Sequence, residues 1–253
     1  MKNQITQIYF SPGGTTARIA EELSSTLAEN IQTIDLLKNA PTSPVRYDAD
    51  GLVQVAMPVF VGRIPSICAE LLKKLEGTNT PAIAVVVFGN REYEDALLEL
   101  TDLLTERGFI VIGAAAFVAQ HSIFPEVAKG RPDANDKRQI RDFAFKCLKK
   151  LNGEVIPVTV KGSKPYRTIS TLPIRPSGNY ACTSCQACVK ICPTAAIDSA
   201  NPRKTDKRRC ISCTACISAC PVNARAFGGL MYKIAGKIFA KKYSVRRKPE
   251  IFI

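Results

Sequence analysis

No stretch of this chain approaches the eighteen or more consecutive apolar residues that a membrane-spanning helix needs, so no membrane span is expected. The opening MKNQITQIYFS carries one lysine and runs straight into an apolar strand, without the charged-then-apolar leader and cleavage site of an exported protein. A cytoplasmic protein with reduced thiols is therefore expected, not a disulfide framework. There is no Gly-Lys-Ser/Thr ending of a nucleotide triphosphatase loop and no three-glycine dinucleotide fingerprint, which disfavours direct use of a pyridine nucleotide. Acidic residues are scarce beyond residue 153, with 4 Asp or Glu against 18 Lys or Arg, whereas residues 1–153 hold 18 against 17. The net charge of +13 thus belongs to the second part of the chain. Its basic stretches lack an interleaved aromatic ladder and any known reader motif, so nucleic acid is not the expected partner. Part of this charge offsets anionic groups bound nearby, and the remainder points to an acidic partner.

What the chain does have is cysteine. Eight of its ten cysteines form two copies of one ladder, CTSCQACVKICP at 182–193 and CISCTACISACP at 210–221, which begin 28 residues apart. Structural zinc takes four ligands to one ion, commonly as two cysteine pairs separated by a longer loop, but here the cysteines come in fours. Three cysteines at steps of three curl the backbone so that their thiolates and several peptide N–H groups converge on one cubane corner. Pro193 and Pro221 then end each tight segment. The run C-x2-C-x2-C-x3-C-P resembles the 4Fe-4S-binding run of bacterial ferredoxins. That resemblance implies two 4Fe-4S clusters with exchanged fourth ligands. One would take Cys182, Cys185, Cys188 and Cys220, the other Cys210, Cys213, Cys216 and Cys192. Ile191, Ala195, Ile197, Ile211, Ile217 and Ala219 are available to shield them from water.

The first 150 residues alternate apolar, β-rich stretches with helical ones. Strands are expected over 5–10, 31–36, 52–59, 82–88 and 109–117, and helices over 16–29, 66–75, 94–107 and 135–151. This is an α/β pattern suited to a doubly wound five-stranded parallel sheet of order 2-1-3-4-5, with a ligand at the switch point between the first and third strands. The link 38–50 holds two prolines and little helical pattern, so that crossover is expected to be loop-like.

After the first strand comes SPGGTT, a turn of hydroxyls and glycines that opens onto a helix. Ser11, Gly13, Gly14, Thr15 and Thr16 can aim backbone N–H groups and hydroxyls at a phosphate, aided by the helix N-terminus. The turn resembles the flavodoxin loop S/T-x-T-G-x-T. Ser11, Gly14 and Thr16 match, and Gly13 stands where that pattern has its central threonine. The resemblance implies FMN, with its ring between the loop after the third strand, MPVFVGRIP, and the loop after the fourth, FGNREYEDA. Phe60 and Tyr93 are then candidates to stack on the ring. Pro58, Val59, Gly62, Gly89 and Asn90 would let the backbone approach its edge. His121, the single histidine, follows the fifth strand on the same side and is a candidate to line the site, although a lone histidine is more often structural. Cys68 and Cys147 fall on apolar helix faces and read as core packing.

The whole chain is similar to flavodoxin/ferredoxin fusions. The expected organisation is a flavodoxin-like FMN-binding domain at 1–153, a proline-containing connector at 154–178, and a small α+β two-cluster ferredoxin domain at 179–227. A basic amphipathic tail at 228–253 follows, with Leu230, Ile234 and Ile238 expected to pack onto the chain itself and with membrane-surface binding or docking of an acidic redox partner as the alternatives. The resemblance implies electron transfer between FMN, two 4Fe-4S clusters and a redox partner protein. The alternative is a flavin reductase, fed by the clusters, that acts on a small-molecule acceptor.

Overall fold

The protein is described by a computed structural model over residues 2–153, 155–169 and 173–253. In chain order the elements of the first part are β1 (Lys2–Tyr9), α1 (Thr15–Leu27), β2 (Ala28–Asp35), β3 (Val45–Tyr47), β4 (Val53–Pro58) and α2 (Ser66–Leu72). They continue as β5 (Leu75–Gly77), β6 (Thr80–Phe88), α3 (Ala96–Glu106), β7 (Phe109–Val118) and α4 (Ala134–Leu151). Beyond them lie β8 (Ser177–Gly178), α5 (Ala187–Lys190), α6 (Ala215–Ser218), β9 (Arg225–Ala226), α7 (Leu230–Lys242) and β10 (Glu250–Phe252). The main sheet runs β10-β7-β6-β4-β1-β2, parallel throughout except for β10, which pairs antiparallel with β7. Without β10 the order is the doubly wound one expected, and its switch point lies between β1 and β4.

β6 occupies the centre because all nine of its residues are buried, which suits a strand covered on both faces. Its alternation separates two layers. Ala82, Ala84, Val86 and Phe88 face the core shared with α2 and α3, while Ile83, Val85 and Val87 face the core shared with α1 and α4. Cys68 and Cys147 sit in those layers, 0% and 1% exposed. The thiol of Cys147 reaches so close to β7 that a Cβ on Gly113 would lie 2.6 Å from its sulfur. α4 starts at a capping box. The Asp133 carboxylate accepts the Asn135 and Asp136 N–H groups at 3.0 Å, and Asp136 accepts the Asp133 N–H at 3.0 Å.

Three features depart from the sequence reading. The crossover 38–50 has no helix, but it carries β3, which pairs in parallel with β5 as a small second sheet. The connector is not a free spacer. Within it, the Val158 N–H bonds the Val111 carbonyl at 2.9 Å, and Asp95 accepts the N–H groups of Ser163 and Arg167 at 2.9 and 2.7 Å. Residues 155–167 are therefore a strap on the first domain, held where its apolar side chains (Val155, Val158, Val160) meet both cores.

The tail departs most. In α7 the aliphatic stripe faces outward, with Leu230 73%, Ile234 45% and Ile238 63% exposed. The helix is seated by aromatics instead: Tyr232 stacks on Phe124 at 5.5 Å, and Phe239 meets Phe124 at 4.9 Å and His121 at 5.0 Å. Ring-on-ring contacts bury more area per residue than an aliphatic stripe and hold a defined geometry. From there the chain returns to the sheet as β10. Asn90 donates to the carbonyls of Tyr243 and Val245 at 2.8 Å, Arg247 bonds Glu92, and Arg246 bonds Asp133 and Asp136.

The return path rests on one buried ion pair. Arg131, 4% exposed, grips Asp136 in bidentate fashion at 2.6 and 2.9 Å and donates to the Arg247 carbonyl at 3.0 Å. Removing the cation from such a pair leaves a buried carboxylate short of a partner. Arg131→Leu should therefore cost about 3 kcal/mol of unfolding free energy, as read from the denaturant midpoint. Unchanged stability would show that the pair is not a structural anchor.

Candidate functional site

The two ladders fold as copies of one another. Each passes through left-handed backbone at equivalent positions 28 residues apart in sequence: Ser184 and Ser212 (φ 55 and 56), Gln186 and Thr214 (φ 64 and 73), Ala195 and Asn223 (φ 46 and 51). None of these is glycine, and such conformations persist only where the surroundings impose them. Alternation of right- and left-handed backbone of this kind is the conformation in which successive N–H groups can form an anion-binding concavity. The sulfur of Cys192 accepts the Ala196 N–H at 3.2 Å and that of Cys220 the Ala224 N–H at 3.1 Å, again 28 residues apart.

A cavity in this part of the chain is lined by Cys192, Cys210, Cys213 and Cys216, with Ile197 and Ile211 among its apolar walls. The fourth cysteine of the first ladder thus joins the first three of the second. All ten cysteines are free thiols. Among the described residues no three Cys, His, Asp or Glu side chains approach as closely as the ligands of one shared ion. Burial pushes the Cys213 thiol up to about 12, so it ionises at neutral pH only against a cation such as iron. At Cys220 burial is outweighed by the N–H groups of Ala224, Val222 and Arg225, and its pKa is lowered. Arg225, 2% exposed, lies near enough to Cys188, Cys216 and Cys220 to favour their thiolates, and its Nε has no hydrogen-bond partner among the described residues. No sequence signal marks Arg225, because a lone arginine in VNARAF looks like one more surface charge.

The ladders are unequally covered. Residues 212–216 are all buried, whereas of their counterparts 184–188 only Cys188 is, and Cys185 is exposed. The second ladder lies against the first domain. Thr214 Oγ1 is 3.1 Å from where a Gly13 Cβ would sit, and the Cys68 thiol on α2 is raised first by burial and then by its coupling to the Cys213 thiol. Arg175 and Ile174 close the other side, with Arg175 Nη1 and the Ile174 carbonyl both on Ser212 Oγ, at 3.1 and 2.7 Å.

At the switch point Gly14 caps α1 in the left-handed region (φ 83), and the Ser11 hydroxyl accepts the Ala17 N–H at 2.8 Å. That satisfies one of the free N–H groups of the helix start. Those of Thr15 and Thr16 have no protein acceptor among the described residues, the condition an anion would meet. Thr16 is 2% exposed, and Gly13 lies open on the surface of the turn. Pro58 is buried at the end of β4. Val59 and Phe60 are half-buried, and Phe60 exchanges backbone bonds with Arg63 across a turn in which Val61 (φ 55) and Gly62 (φ 84) are both left-handed.

The other candidates for the ring are committed elsewhere. Tyr93 is 0% exposed in the core beside Phe88, with its hydroxyl donating to Glu250 at 2.9 Å. Asn90 is 2% exposed and holds the returning chain, and Gly89 is covered by His121, 2.6 Å from where a Cβ would be. His121 Nδ1 accepts the N–H groups of Ile123 and Phe124 at 3.1 Å, and its ring lies between Phe124 and Phe239. Tyr93 and Asn90 therefore do not open onto the loop cluster, and His121 packs under α7. The reason is β10 and its approach, which no sequence pattern announced.

Comparison with known proteins bears on both parts. Residues 177–233 match the family of 4Fe-4S dicluster domains. No curated protein matches the chain. Among solved structures, a flavodoxin from the domain Archaea is 14% identical over 59% of this chain and 99% of its own, with a TM-score of 0.40. The Fusobacterium nucleatum flavodoxin bound to flavin mononucleotide is 14% identical over 59% and 99%, with a TM-score of 0.39. Rubredoxin oxygen:oxidoreductase from Desulfovibrio gigas is 15% identical over 60% of this chain, with a TM-score of 0.42, and only 36% of its length is spanned. At these values no residue-level correspondence follows, and the flavodoxin-like arrangement rests on the strand order itself. The chain thus joins a flavodoxin-like α/β part to a 4Fe-4S ferredoxin domain. Among the described residues no helix is long and apolar enough to cross a membrane.

The His121 environment generates a pH test. Burial, and then the charge of Arg91, lowers its pKa from 6.5 to about 4. The neutral ring is the folded form, so its contribution is complete above pH 6.5 and is lost as pH falls toward 4, on the order of 3 kcal/mol at the limit. Unfolding free energy should therefore drop between pH 7 and 5 in the wild type and less in His121→Asn, which keeps an acceptor. Equal pH slopes would contradict the buried neutral ring.

Proposed function

We propose that this protein is an electron-transfer iron–sulfur flavoprotein, moving electrons between FMN at the switch point and two 4Fe-4S clusters, and onward to an acidic redox partner. The observation that carries the reading is the cavity lined by Cys192 and the first three cysteines of the second ladder, beside the phosphate-type loop. Three local cysteines plus one exchanged cysteine is the ligand set of a two-cluster ferredoxin, and the first ladder with Cys220 supplies its mate. When bound, FMN supplies exchange of one or two electrons and each cubane exchange of one.

The chain's own residues divide the work. Ser11, Gly13, Gly14, Thr15 and Thr16 hold the phosphate end, and Phe60 is the aromatic left to meet the ring. Ile197, Ile211 and the buried run 212–216 keep water from the inner cluster site. Cys185, the 93% exposed Tyr180 and the exposed Lys190 belong to the outer ladder, and the basic run 203–209 between the two ladders adds positive potential for an acidic partner. The unequal covering supports an order in which the first-ladder cluster is the port to the partner and the second-ladder cluster faces the flavin. Domain bounds follow this division, with the first domain completed by 155–167 and β10 rather than ending at 153.

Anaerobically purified protein should hold about eight irons and one FMN, from the ligand count and loop argument. Iron near one per chain, or zinc in its place, would end the cluster reading. Arg225→Met should lower the cluster reduction potentials by tens of millivolts, on the order of 1 kcal/mol per electron, because a buried cation favours the more negative reduced form. A potentiometric titration monitored by electron paramagnetic resonance reads this, and unchanged potentials would remove Arg225 from any tuning role.

A further inference from the structure

Thr214 is the residue at which the two parts of the molecule meet, and its hydroxyl is unexplained. The residue is 4% exposed, and its Oγ1 is buried with no hydrogen-bond partner among the described residues. A buried hydroxyl without a partner is destabilising, so such a group commonly marks a site where something else binds. The nearest side-chain atom to a Cβ built on Gly13 is this Oγ1, at 3.1 Å. Gly13 thus lets Thr214 approach the turn, where a larger side chain would push it away. Across that turn the N–H groups of Thr15 and Thr16 are likewise without protein acceptors, and the first turn of the 13-residue α1 carries no acidic residue. Two orphaned amide donors and one orphaned hydroxyl at one turn make a site for an anion with several acceptor oxygens.

We propose that Thr214, from the second cysteine ladder, donates the hydroxyl that closes the phosphate cradle over Gly13, so that the phosphate monoester of the flavin is held jointly by both parts of the chain. The proposal rests on the flavin reading above and extends it: flavin binding and docking of the second ladder become linked, each favouring the other. It also gives Gly13 a purpose. A threonine hydroxyl absent from the turn is supplied from residue 214 through space.

The test is made on the cluster-loaded full chain with Thr214→Val, which removes the hydroxyl at nearly constant volume, and Thr214→Ser, which keeps it. Dissociation constants for FMN, riboflavin and inorganic phosphate are read by flavin fluorescence and by competition, with iron content as the control for an intact cluster region. A hydroxyl bonded to a charged phosphate predicts FMN binding weakened about 10-fold or more in Thr214→Val, riboflavin binding within twofold of wild type, and Thr214→Ser close to wild type. Phosphate should compete with FMN less well in Thr214→Val. FMN affinity unchanged in Thr214→Val, or FMN and riboflavin weakened alike, overturns the assignment of Thr214 while leaving the flavin reading intact. Wild type that binds neither flavin sinks that reading and the proposal with it. If Thr214→Val loses iron, Gly13→Ala replaces it. Its methyl would crowd Thr214 Oγ1 and should weaken FMN selectively over riboflavin, and equal weakening of the two would overturn the proposal.

Discussion

The pairing of β10 with β7 is the constraint on which the arrangement depends. Glu250, Ile251 and Phe252 lie against Ala116, Ala115 and Ala114, and Glu250 also receives the Tyr93 hydroxyl and the Lys161 ammonium. Lys161 belongs to the strap, so one residue joins the segment that leaves the first domain to the segment that comes back. The ferredoxin part is fixed at both ends. A short antiparallel strand of three residues contributes few ladder bonds, each worth about 1 kcal/mol net, and would not hold alone. Its neighbours make the difference: the buried Arg131–Asp136 pair, the Asn90 side chain and the aromatic seat of α7 all act on the same return path.

Docking at both ends explains why two ladders of one design have different surroundings. Had the ferredoxin part hung from a single connector, each copy of the repeat would be as exposed as the other. Instead residues 212–216 are covered while Cys185 is open. This asymmetry gives a symmetric motif a direction, with the second ladder turned toward the SPGGTT turn and the first toward solvent. The buried Arg225 lies near thiols from both ladders, which suits a cation shared by two anionic sites.

Much of this was legible in the chain because it is written in local pattern. The continuous apolar run of β6, the turn SPGGTT and the cysteine spacing each state their structure within a dozen residues. Cys192 lines one cavity with Cys210, Cys213 and Cys216. What escaped is what depends on distant partners. Tyr93 and Asn90 sit in a loop that looked ready for a ligand, yet Glu250 and the carbonyls of Tyr243 and Val245, more than 150 residues away in sequence, engage them. The stripe of Leu230, Ile234 and Ile238 has helical periodicity, but Tyr232 and Phe239 on another face found Phe124 first. Periodicity tells that a helix is amphipathic, not which of its faces meets a partner. The left-handed Gln186 and Thr214 are equally silent in composition, since glycine would be the usual sign of such backbone.

Hydrogen–deuterium exchange on the full chain and on a chain terminated after Lys248 tests this account most directly. If the last strand holds the ferredoxin part in place, its removal will speed exchange both along the edge of β7 and in the remote run 212–216, while 184–188 exchanges as before. Faster exchange confined to β7, with 212–216 as protected as in the full chain, would contradict the claim that closure of the sheet docks the second ladder.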